Sequence, residues 1–73
     1  MTVDQYRLMD DEMLALNAAV ELRVYENRWQ DVSPEQRKAA HKRIRRIEVV
    51  RAERGISFQE ILLRLADKRK QEA

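Results

Sequence analysis

The chain has 73 residues, a net charge of +2, 38% charged and 44% hydrophobic side chains, one Gly, one Pro and no Cys. Such a length holds one domain (residues 1–73) with a modest core, and the missing thiols exclude disulfides and thiolate chemistry. Regular apolar spacing argues against disorder, and no apolar run approaches the ~20 residues of a membrane span.

Ala, Leu, Glu, Arg, Lys and Gln dominate, and these are the strong helix formers, so the expected class is all-α with three helices. The first helix is predicted over 3–29. Thr2 caps it, with Gln5 as the reciprocal capping-box residue. Asp10 or Asp11 offers an alternative start that would leave residues 1–9 as an arm. The long helix is the reading adopted. On it, Tyr6, Met9, Met13, Leu16, Val20 and Val24 form one apolar stripe at helical spacing. Leu8, Leu14, Ala15, Ala18, Leu22, Tyr25 and Trp29 form a second, nearly opposite. A rod of this length, about 40 Å, outreaches a compact domain whose radius of gyration scales to about 11 Å. Part of one stripe is therefore expected to stay open, with Tyr25 and Trp29 as the foremost candidates.

Gln30-Asp31-Val32 reads as a turn. Ser33 is a good N-cap, Pro34 suits the first helical position and Glu35 complements the helix dipole. The second helix runs over 34–54 and stops at Gly55, which adopts the left-handed conformation without a Cβ penalty. It forms an antiparallel hairpin with the first. Its apolar stripe is narrow (Ala40, Ile44, Ile47, with Val50 beside it), and Lys38, Lys42, Arg45 and Arg46 lie opposite. Ser57 and Glu60 suggest a capping box, flanked by an Ile56/Ile61 staple, for a short third helix over 58–68 folded back on the hairpin. Residues 69–73 are expected to fray.

Charge is unevenly spread. Residues 1–36 sum to −5, residues 37–73 to +7, and residues 37–54 alone to +6. Two explanations stand side by side: packing of oppositely charged helices, or a basic binding surface.

Catalytic signals are absent. Thr2, Ser33 and Ser57 all serve as caps. His41, the one histidine, sits on a basic face with no carboxylates at metal-ligand spacing. Consecutive Asp10, Asp11 and Glu12 fan out around a helix. One glycine makes no phosphate loop. The expectation is a protein that is no enzyme and uses neither cofactor nor metal. Its opening residues lack the basic and apolar regions of a signal peptide, so a cytoplasmic location is expected.

Two binding classes remain. The basic second helix would attract phosphates, which makes nucleic acid one possible partner. Gly55-Ile56-Ser57 followed by Ile61 resembles the centre of a helix-turn-helix motif. Arg51 stands where that motif has a small residue, and Arg54 where it has an apolar one. The would-be reading helix presents Leu62, Leu63 and Leu65, with few groups for base edges. The other class is a protein-binding module or homodimer, because Trp, Tyr and Arg are the residue types of interface hot spots. A membrane-surface role is disfavoured by the narrow apolar face.

In size and character the chain resembles small phage-encoded proteins that bind bacterial RNA polymerase as transcription inhibitors or antiterminators. The likeness is that of a short, Arg-rich, cysteine-free helical chain and covers no motif. It implies a regulator docked on a larger machine. The partner-binding residues expected from the face analysis are Lys38, Lys42, Arg45 and Arg46 against an acidic patch, with Tyr25 or Trp29 as the apolar anchor.

Overall fold

A computed structural model describes residues 1–26 and 32–72, the side chain of residue 72 excepted. The described residues are all-helical, without strands, and form four helices: α1 (Val3–Arg7), α2 (Asp11–Glu26), α3 (Pro34–Arg54) and α4 (Phe58–Glu72). No helix among them is long and apolar enough to cross a membrane.

The expected single rod over 3–29 is corrected: the chain breaks between Arg7 and Asp11. Local chemistry explains the break. Thr2 and Gln5 close the capping box of α1. Asp10 then caps a second start, its Oδ1 accepting the Met13 N–H at 2.7 Å. The carbonyls freed at the end of α1 find a donor far away in sequence. Arg54 Nη2 donates to the Arg7 carbonyl at 2.9 Å and to the Met9 carbonyl at 2.7 Å. Its Nη1 reaches Asp11 at 2.8 Å. Arg7 binds Glu53 through two nitrogens, at 3.0 and 2.6 Å. Helix ends leave backbone groups that need partners, and here side chains of α3 supply them.

The break also reassigns the first stripe. On a continuous helix, Tyr6 would point the same way as Met13 and Val20. The kink turns it inward instead, to 1% exposure beside Leu14, Ile47 and Val50. Val3, Met9, Ala18 and Phe58 pack against this cluster. Burial, reinforced by the charge of Glu21, pushes the Tyr6 hydroxyl above its ordinary pKa, while Arg43 and Arg46 pull the other way. Residues 1–9 are thus no loose arm.

α3 follows its sequence signals closely. Ser33 and Gln36 complete a capping box, Pro34 opens the helix, and Gly55 closes it at φ 63°. Gly55 N–H donates to the Ala52 carbonyl and Ile56 N–H to that of Arg51, which is the Schellman arrangement. Of the expected capping box at α4, one arm is present: Ser57 Oγ accepts the Glu60 N–H at 3.4 Å. α4 extends through the segment expected to fray, as far as Glu72. Its last turns are strong helix formers, and Arg69 and Lys70 complement the negative end of the dipole.

α2 packs mainly on α3, α4 on α2, and α1 on α3. The core is small: Tyr6, Leu14, Ala15, Ala40, Ile47 and Val50. On α4, Phe58, Ile61, Leu62 and Leu65 are only half-buried. The radius of gyration is 13.4 Å, above the compact value of about 11 Å. The accessible surface is 5982 Å², against about 4,800 Å² for a compact monomer of this mass. The fold exposes more of itself than its size requires.

Candidate binding surface

Which side of α3 faces its neighbours decides what each of its basic residues does. Ala40, Ile47 and Val50 face inward. Arg43, Arg51 and Arg54 flank that side and are all engaged. Arg43 Nε lies 2.8 Å from the Glu21 carboxylate, a close ionic contact without the alignment of a hydrogen bond. Arg51 binds Glu48 at 2.6 Å and the Ile56 carbonyl at 3.0 Å. Arg54 holds the α1–α2 junction as described above.

Lys38, Lys42 and Arg45 occupy the opposite side at helical spacing, exposed together with Val49. They make no ion pair with any described residue. Arg46, at the edge of this face, donates to the Met1 carbonyl at 3.0 Å, so it also ties down the start of the chain.

Tyr25 joins this basic group. Its ring stacks on His41 with centroids 5.2 Å apart and planes 27° apart. Tyr25 remains 45% exposed. Tyr25, Arg37, Lys38, His41 and Lys42 line a shallow, open depression of about 220 Å³. The surface therefore combines a flat aromatic element with several cations, which suits an acidic partner carrying a flat or apolar group. Trp29, the other expected anchor, lies outside the described residues.

A second depression, about 510 Å³, lies where α3 turns into α4, lined by Asp11, Arg51, Gly55, Ile56, Ser57, Glu60, Ile61 and Arg64. Its charges are mixed and Arg51 is already bonded, so it offers less to an anion. Among the described residues no group of three His, Cys, Asp or Glu could hold a metal ion.

Sequence reasoning groups Tyr25 with Lys38 and Lys42, and the structure brings them together. It overlooks the stacking of His41 on Tyr25. It also overlooks the structural use of Arg43, Arg51 and Arg54. One signal is available: each lies on the Ala40–Ile47–Val50 side of the wheel, where a cation needs a partner.

The open apolar surface also differs from expectation. The exposed stripe is Met13, Leu16 and Val20 on α2, with Val20 59% exposed, rather than the Tyr25 end alone. Searches found no protein family, curated protein or solved structure that matches this chain.

Proposed function

We propose that this protein is a small non-enzymatic regulator that docks on an acidic surface of a larger protein through the outward face of α3. The observation that carries the reading is the division of labour on that helix. Arg43, Arg51 and Arg54 are engaged within the fold, while Lys38, Lys42 and Arg45 project with no carboxylate partner among the described residues. Three such cations on one side of a rigid helix give long-range attraction and fix orientation. The Tyr25–His41 stack at one end adds a flat contact that is ordered before binding, so little conformational freedom is lost on docking. Bacterial RNA polymerase is the first partner to test, as the resemblance in size and character implies, with inhibition or modulation of transcription as the outcome.

The test uses the labelled 73-residue chain and purified bacterial RNA polymerase, with poly-L-glutamate as a probe of acidic-surface binding and random-sequence duplex DNA as competitor. Wild type should bind both polymerase and poly-L-glutamate. Arg45→Glu and Lys42→Glu each weaken binding about tenfold, equivalent to about 1.4 kcal/mol. Binding of duplex at low salt in preference to both acidic partners, with a steep salt slope, would transfer this face to nucleic acid.

A further inference from the structure

We infer that a second copy of this chain covers the open face of α2, with the two α2 helices antiparallel across a two-fold axis. The surface is different from the basic side of α3. Met13, Leu16 and Val20 form an exposed apolar stripe on the side of α2 opposite Leu14, Ala15 and Ala18. A monomer has no use for an apolar row at this spacing pointing into water.

The charges beside the stripe indicate what covers it. Glu12 and Arg23 are both exposed, and neither pairs with a described residue. Their separation is close to three full helical turns, so they lie on the same flank of the stripe. They stand about 16 Å apart along the axis, too far to meet within one chain. In an antiparallel helix pair, a flank of one helix lies against the same flank of the other. A two-fold axis at the level of residues 17 and 18 sets Glu12 against Arg23 of the second copy, and Arg23 against its Glu12. The same register packs Leu16 against Val20 of the second copy. A C2 contact must be complementary to itself, and opposite charges equally spaced about one point satisfy that condition. The other flank carries Asn17, whose amide is already bonded to the Met13 carbonyl at 2.9 Å.

Each copy offers one short helix face, so the pair belongs to the weak, concentration-dependent class of association. The basic faces of α3 lie on the far side of each copy and stay free.

Sedimentation of the 73-residue chain over a wide concentration range provides the test. Wild type should pass from monomer to dimer. Glu12→Arg and Arg23→Glu should each weaken self-association about tenfold, because each sets like charges together. Mixing these two variants should restore dimers, since every contact across the interface then joins one cation to one carboxylate. The double swap in one chain should also dimerise. Glu12 stands in the first turn of α2 and Arg23 in its last, so each swap also costs helix stability against the helix dipole, and restoration of dimers on mixing separates that cost from the interface. A strictly monomeric wild type, or single swaps that dimerise like wild type, would overturn the inference without touching the α3 reading, whose probes are separate.

Discussion

Both ends of α3 carry cations, and those cations behave in opposite ways. At its C-terminal end, Arg51, Glu53 and Arg54 are each bonded to a neighbour, and Gly55 turns the chain toward α4. From near its N-terminus to its middle, on the outward side, Lys38, Lys42 and Arg45 stand in solvent without a carboxylate among the described residues. The helix is the same and both groups contain cations. What differs is whether another element passes within reach. The broken N-terminal helix brings carbonyls and carboxylates to the first end. A cation there closes the fold; elsewhere on the helix Arg43, on the inward side, still meets Glu21, and the outward Lys38, Lys42 and Arg45 are left for a partner.

Removing what lies beneath the bonded end should have the largest effect. Tyr6→Ala or Leu14→Ala deletes a fully buried side chain from a very small core, at a cost of roughly 3–5 kcal/mol. Small domains have about 5 kcal/mol to lose, so either variant should be largely unfolded in a thermal melt followed by circular dichroism. Retention of a wild-type melt by Tyr6→Ala would show that α1 is not part of the core.

Next comes the direct contrast between the two ends. Arg54→Ala removes contacts to the Arg7 and Met9 carbonyls and to Asp11, and should cost about 2 kcal/mol in urea denaturation. Arg45→Ala should change stability by no more than about 0.5 kcal/mol while lowering affinity for an acidic partner. Equal destabilisation by both would erase the distinction.

Gly55→Ala should cost about 1 kcal/mol. A Cβ there meets nothing within 4 Å, so the penalty comes from the backbone angle of +63° alone. Asparagine at the same site should recover part of it.

The smallest effect is expected from acid. The Arg7 guanidinium holds the Glu53 carboxyl below its ordinary pKa. A group depressed in the folded state stabilises above its unfolded pKa, and that contribution is lost as pH falls through the lowered value. The protection factor of the Tyr6 amide, its intrinsic exchange rate at each pH divided by the observed rate, should therefore fall slightly as the solution is acidified through the carboxylate range. Glu53→Gln should flatten that response.

Much of this is legible in the sequence, because caps are local. Thr2 with Gln5, Ser33 with Pro34, and Gly55 are short-range signals, and each marks a real boundary. The rod across residues 8–10 is a misreading because the apolar spacing runs through the break without interruption. Periodicity carries no record of Arg54, which satisfies the freed carbonyls from the far end of another helix. Once that break is missed, Tyr6 and Met9 stay on the wrong stripe, and the open face of Met13, Leu16 and Val20 cannot be separated from the core. The basic side of α3 is easier to see. Charges facing solvent obey the wheel with no help from tertiary contacts.

All four helices meet in one place. Tyr6 comes from α1, Leu14 from α2, Ile47 and Val50 from α3, with Phe58 of α4 against them. The molecule is therefore arranged like spokes on a hub. Packing outside the hub is slight, the small Ala15 and Ala40 and the Tyr25–His41 stack among it, so loss of the hub should unfold the elements together. Amide protection should be greatest around that hub and decline toward the outer turns of α3 and α4.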